Sequence, residues 1–180
     1  LQLHKERGGV MRGLIIHNYN IYNGKDELVG DWKEITLPDL APKTAEIEGS
    51  GILGNVKVPV PGMYESLTVD IPFRMLSEKA TELFIGRKYA TVKIRGGILW
   101  LDESTGDMED KGIVVTARGM GSKLSPGKIA LGQTMDSGVS IEAIYFCIEI
   151  DGTKVFELDK FNSICTVNGE DILKNLRKLC

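Results

Sequence analysis

The stretch "IEGSGILGNVKVPVPGM", residues 47–63, places Gly49, Gly51 and Gly54 in G-x-G-x-x-G spacing. Its reading decides the fold. In a dinucleotide-binding turn such glycines follow a strand and open a helix, whose N-terminal amides hold the pyrophosphate. Here Gly54 is followed by "NVKVPVPG". Val56, Val58 and Val60 are β-branched and alternate, while Pro59 and Pro61 block helix propagation. No crossover helix is available to bind phosphate, and no cofactor is expected.

A plain surface loop accounts for the glycines but not for their neighbours. Ile52, Leu53, Val56, Val58 and Val60 would lie on a projecting arm with little protein behind them. Burying five apolar side chains does not offset the entropy of ordering so long a segment on its own. Such an arm needs contacts from another chain. An exposed apolar strand edge is an aggregation hazard unless it serves assembly.

Outward from this stretch, period-two alternation dominates. Leu67, Val69, Ile71 and Phe73 alternate with polar residues and describe a half-buried strand. Ala90, Val92 and Ile94 do the same before Gly96-Gly97, where a bulge or bend is expected. "ILWL" (98–101), a polar turn at 102–110 and "GIVVTARG" (112–119) predict a hairpin. Asp151-Gly152 predicts a second, tight one.

The strand at 139–150 would be roughly 40 Å long at about 3.3 Å per residue. Its alternation changes phase: Val139, Ile141 and Ala143 share one parity, and Ile144, Phe146, Ile148 and Ile150 the other. Either a bulge re-aims the side chains or both faces are covered midway. A neighbouring subunit is the natural cover, which makes Ile144, Phe146, Ile148 and Ile150 candidates for subunit pairing.

Two helices are expected. Ser77 caps one over residues 78–85, with Leu76, Ala80, Leu83 and Phe84 on one side and Gly86 ending it. Another follows Asn168-Gly169, with Ile172, Leu173, Leu176 and Leu179 sharing a face. The expected fold is mainly β (α+β): an antiparallel β-barrel or two-sheet sandwich with one or two short helices.

At 180 residues the chain suits one domain. A net charge of −3 and a pI near 5.5 argue against a dedicated nucleic-acid binder. No apolar run approaches membrane-spanning length, and "GLII" (13–16) is too short even for a signal-peptide core. Cys147, Cys165 and Cys180 are odd in number and widely spaced, which reads as reduced thiols. "KERGGVM" (5–11) can be encoded by a purine-rich run of ribosome-binding character. Residues 1–10 are therefore expected to be a non-native or disordered extension, and 11–180 the domain proper.

Catalytic and metal candidates fail on inspection. "LDESTGDMED" (101–110) is rich in carboxylates, but Ile113 stands where an EF-hand requires Glu. "GSKLSPGKI" (121–129) lacks the leading Gly and the final Ser or Thr of a phosphate loop. Glu149 and Asp151 fall on one face of a strand edge. With only His4 and His17, a triad or a His-based metal site is hard to assemble. No catalytic residue, metal or cofactor is predicted, and the chain is not expected to be an enzyme.

In order along the chain, "NYNIYNG" (18–24), "WKEITLPDL" (32–40), "EIEGSGILGNVKVPVPGMYESLTVDIPFR" (46–74) and "SPGKIALGQTMDSGVSIEAIYFCIEIDGTKVFELDKFN" (125–162) resemble the major tail tube protein of contractile-tailed phages. The resemblance implies a protomer of hexameric rings whose sheets join into an inner β-barrel. The rings stack into a tube that carries DNA in phages or punctures cells in phage-tail-like bacteriocins. Implied partners are further copies of the chain, the tail sheath, tape-measure, baseplate and tail-terminator proteins, with DNA passing through the lumen. The implied place is the virion tail, assembled in the host cytoplasm.

By the same resemblance the long loop contacts a neighbouring ring or protomer. It maps onto Gly49, Ser50, Gly51, Ile52, Leu53, Gly54, Asn55, Val56, Val58 and Val60. A net acidic protein suits such a conduit, since a basic lumen would hold phosphates. Related secretion-system tube proteins share the architecture. A monomeric β-barrel binding a small ligand is the other class open from the residues, and its monomeric state at high concentration would distinguish it.

Overall fold

The computed structural model describes residues 11–25, 29–49, 51, 53–85 and 87–179. Their strands are β1 (Met11–Asn23), β2 (Pro42–Ile47), β3 (Val56–Tyr64), β4 (Thr68–Phe73), β5 (Ala90–Asp102), β6 (Met108–Ser125), β7 (Ser137–Ile150), β8 (Thr153–Asp159), β9 (Ile164–Val167) and β10 (Glu170–Asp171). Two short helices, α1 (Glu78–Glu82) and α2 (Lys174–Leu179), complete the described elements. The fold is mainly β and antiparallel, as the alternation predicts.

Eight strands share one sheet in the order β1-β5-β6-β7-β8-β9-β10, with β4 joined to β7; β2 and β3 form a separate pair. The register sorts side chains by chemistry. Ile21, Ile94, Val115, Ile148, Phe156 and Val167 lie side by side across six strands. So do Val92, Ala117, Phe146, Leu158 and Cys165. These two rows supply much of the core, where Val69, Ile71 and Phe73 of β4 and Val139 and Ile141 of β7 join them. The thiols of Cys147 and Cys165 are buried.

β7 serves two neighbours in turn. Ser137–Glu142 lies between β6 and β4, and Tyr145–Ile150 lies between β6 and β8. At the change Ile144 is an extra residue: Arg118 faces Tyr145 while Gly119 faces Ala143. This bulge is the phase change read from the sequence. Val139, Ile141 and Ala143 are buried before it, and Phe146 is buried after it on the opposite parity. Gly119 permits it, because a Cβ there would lie 1.8 Å from the Glu142 carbonyl oxygen.

Three expectations are corrected. The described residues form no closed barrel, since β1 and β10 end the sheet without pairing to each other. The isolated bridges Trp32–Phe73 and Thr36–Asp70 cover part of the outer edge of β4. β5 runs unbroken through Gly96-Gly97; the bulges sit opposite, at Leu14 and His17 of β1. A Cβ on Gly96 would stand 3.0 Å from the Asn18 carbonyl oxygen, so the glycine serves close strand approach. Finally, Asn168 (φ 48°) and Gly169 (φ 82°) form the β9–β10 turn instead of opening a helix.

Asp151 (φ 50°) and Gly152 (φ 75°) make the predicted tight turn between β7 and β8. α1 starts where predicted but stops at Glu82; Gly86 lies outside the described residues. Ser77 Oγ accepts from Ala80 N at 3.1 Å and donates to Val29 O at 3.0 Å, so the cap also ties the helix to the chain after β1. Ala80 and Leu83 are buried. Leu173 is buried ahead of α2, which itself buries no residue.

Glu142 sits beside the bulge. Its Oε2 accepts from Ser66 Oγ (2.6 Å) and Thr68 Oγ1 (3.1 Å), its Oε1 accepts from Leu67 N (3.1 Å), and Lys160 Nζ is 3.8 Å away. Burial pushes this carboxyl up, but the three donors and the Lys160 charge outweigh it and hold its pKa below the ordinary glutamate value. A depressed folded-state pKa stabilises fully above the unfolded value of about 4.3 and ceases to do so as pH falls through the folded value below it. Glu142→Gln is therefore expected to lower stability at pH 7 and to flatten its loss below about pH 4.3, read by urea unfolding at pH 7 and pH 3. Gly119→Val is expected to cost about 1–3 kcal/mol or more by the same measurement, because backbone must move to admit the side chain.

Candidate assembly surfaces

The described residues of the 47–63 stretch lie on an exposed hairpin. β2 and β3 pair through Thr44–Pro59, Ala45–Val58, Glu46–Lys57 and Ile47–Val56. Every residue of β2 is exposed, as are Val56 and Val58, while Val60 is half-buried and Leu53 stands wholly in solvent. Gly51 and Gly54 each have φ 97°, and no atom lies within 4 Å of a Cβ built on Gly49, Gly51 or Gly54. Among the described residues these glycines have open space where a side chain would stand. A strand follows them, so no helix N-terminus faces the loop. Gly49 and Asn55 are exposed too; Ser50 and Ile52 lie outside the described residues.

Among the described residues the hairpin is anchored at its base. Glu65 N donates to Ala41 O at 3.1 Å, and Tyr64 meets Phe156 edge-on at 5.8 Å between centroids. Gly62, with φ 75°, lies under Leu173, where any Cβ would come within 2.6 Å of the leucine methyls. The partner strand "PKTAEI" escapes a sequence reading because its alternation is weak and its residues largely polar.

A second surface is the free edge of β1. Among the described residues its outer side receives one backbone bond, from Val29 N to Ile21 O at 3.1 Å, near the strand's end. Towards the start Leu14, Ile15 and Ile16 are about half exposed or more. The signal is "GLII", which the sequence reading weighed only against membrane and leader lengths. Ile144, Phe146, Ile148 and Ile150, expected to take part in subunit pairing, lie on β7, which among the described residues is hydrogen-bonded to β6 on one side and to β4 and then β8 on the other. Phe146 is fully buried and Ile148 packs on the core.

The third surface is the sheet face away from the core. Tyr22, Lys93, Thr116, Cys147 and Glu157 form one cross-strand row, flanked by Asn20, Arg95, Val114, Glu149 and Lys154 and by Thr91, Arg118, Tyr145 and Asp159. Its charges are paired locally. Arg95 lies over the Tyr22 ring at 5.0 Å, and Arg118 over Tyr145 at 5.3 Å. Lys154 Nζ bonds Glu157 Oε1 at 2.7 Å, and Tyr145 donates to the same oxygen at 2.9 Å.

Burial and that acceptor push the Tyr145 hydroxyl far up, while Lys154 holds Glu157 down against its own burial. Burial likewise pushes the Cys147 thiol up. Asp159 is also pushed up by burial, yet bonds from Asn162 Nδ2 (2.7 Å), Asn162 N (3.0 Å) and Phe161 N (3.1 Å), with the Arg118 charge, hold it low. Among the described residues no cluster of three His, Cys, Asp or Glu is placed to hold a metal.

Residues 14–179 match the family model described as phage tail tube protein FII. The chain belongs to the phage tail tube protein FII family. It is 26% identical over 160 residues to the tail tube protein of Escherichia phage P2, covering 88% of this chain and 92% of that one. Its fold is similar, at TM-score 0.53 and 13% identity, to a chain in the cryo-EM structure of the PVC sheath/tube terminator, part of an extracellular contractile injection system, in its extended state. That likeness covers 77% of this chain and 97% of the other. The resemblance read from the sequence is thus confirmed.

A phage tail tube protein is a structural component of the virion tail, and the chain's exposed features suit that role better than chemistry. In the dissociated tail tube protomer, amides of β2 and β3 are expected to exchange with solvent about a hundredfold faster than those of β6 and β7, since exposed two-stranded pairing opens locally. Hydrogen–deuterium exchange of dilute protein measures this directly.

Proposed function

We propose that this tail tube protein is the protomer of hexameric rings that stack into the inner tube of a contractile phage tail or phage-tail-like particle. The observation that carries the reading is the outer edge of β1, which no described strand pairs, with Leu14, Ile15 and Ile16 exposed along it. Long apolar edges invite pairing with further chains unless they are blunted, and a closed ring uses that tendency without leaving an end free. The exposed hairpin 42–64 is the second contact, reaching a neighbouring ring or protomer through Leu53, Val56 and Val58, with Gly49, Gly51 and Gly54 setting its turn and Ser50, Ile52, Asn55 and Val60 within the same contact segment.

In this arrangement the polar sheet face lines the lumen. Arg95, Arg118 and Lys154 are engaged by rings or carboxylates of their own chain. Fewer cations are then available to phosphates, and DNA passes without sequence-specific holding. Outside the tube the contractile sheath encloses it, a tape-measure protein sets its length, and baseplate and terminator proteins close its ends. Assembly takes place in the host cytoplasm.

Ile15→Lys with Ile16→Asp is expected to raise the protein concentration needed for rings or tubes at least tenfold, about 1.4 kcal/mol per contact set. Leu53→Asp with Val58→Asp is expected to do the same. Monomer stability should shift by no more than about 0.5 kcal/mol, since these side chains are exposed. Negative-stain microscopy and sedimentation velocity read both; ordinary tubes from both variants at wild-type concentration would refute the proposal.

A further inference from the structure

The loop joining β6 to β7, residues 126–136, carries two apolar side chains with no cover in their own chain. Ile129 is 93% exposed and Leu131 wholly so. Yet the loop is held at its base. Lys128 N donates to Met135 O at 2.6 Å and Gln133 N to Ala130 O at 3.3 Å. Gly127 has φ 87°, and a Cβ there would meet the Met135 carbonyl oxygen at 2.0 Å. Thr134 Oγ1 bonds Asp136 Oδ1 at 2.8 Å, and Lys33 Nζ bonds the same carboxylate. A tethered loop with a greasy tip is a preformed knob, which loses little entropy on docking.

The same chain carries a matching hole. A cavity of about 440 Å³ opens among Ile16, Tyr19, Ile35, Leu37, Ile113 and Val115, with Glu34 also among its lining residues. It is mainly apolar. Lys128 adjoins the knob and Glu34 the hole, so the charges beside them are opposite. Ile16 belongs to both the cavity and the free β1 edge, which makes the hole continuous with the surface assigned to assembly.

We infer that Ile129 and Leu131 of one copy seat in this cavity of a second copy, with Lys128 paired to Glu34 across the contact. Knob and hole are separate patches of the chain, so the contact, used head to tail, repeats from copy to copy into a ring or a stack. The inference rests on the proposed self-assembly but assigns residues outside both surfaces named for it, apart from the shared Ile16.

The test uses the full chain. Ile129→Asp with Leu131→Asp is expected to raise the assembly threshold at least tenfold in sedimentation velocity while the melting temperature of the dilute monomer stays unchanged. Lys128→Glu is expected to weaken assembly, and adding Glu34→Lys to restore it. In a Cys180→Ser background, Leu131→Cys with Leu37→Cys is expected to give a ladder of cross-linked chains on oxidation of assembled protein. Wild-type tubes accompanied by equally abundant tubes from the double Asp variant, no charge-swap rescue and no ladder would overturn the knob and hole alone. A wild type that stays monomeric at every concentration would overturn both this contact and the tube reading.

Discussion

The structure depends on the close approach of two backbones at Gly119 and Glu142. A strand as long as β7 has to face β4 along one half and β8 along the other, and the inward set of side chains differs between the halves. The extra residue at Ile144 makes the switch, and only a residue without a Cβ fits opposite it. From that point the two apolar rows of the large sheet, the β4 strand and the first half of β7 share one core. Glu142 ties the same point to the chain before β4. Fold and charge network meet at one bend.

Much of this is legible in the sequence because period-two alternation is dictated by the pleat. Leu67, Val69, Ile71 and Phe73 announce a strand, and the Asp151-Gly152 turn announces its hairpin. Ser77 announces a cap. Where the reading goes astray, tertiary partners decide. Gly96-Gly97 look like a break, yet the strand runs through them and Gly96 yields room to β1, whose own extra residues cannot be seen without knowing its register. Asn168-Gly169 have the chemistry of a left-handed turn in either setting; the short β10 strand settles which. Closure into a barrel is a property of the sheet's ends, and alternation carries no information about ends.

The assembly surfaces divide in the same way. Leu53, Val56 and Val58 show their exposure through composition, since apolar residues between glycines and prolines have little local to pack on. The edge at Leu14, Ile15 and Ile16 does not, because an apolar run reads alike in a central and an outer strand. Nor does alternation reveal that Phe146 lies between β6 and β8. Period shows which residues share a face. It leaves open what lies against that face, and in a chain of a tail tube family that question concerns other copies as much as this one.

The two sulfhydryls inside the sheet have a consequence for the particle's life history. Cys147 and Cys165 are shut away from solvent, and the first is held in its protonated, unreactive form. In an oxidising medium an accessible thiolate ages by sulfenylation or by random bridging between neighbours. Sulfur kept this way behaves as a small hydrocarbon, so a virion tail component built on this sheet is spared chemical wear at those positions.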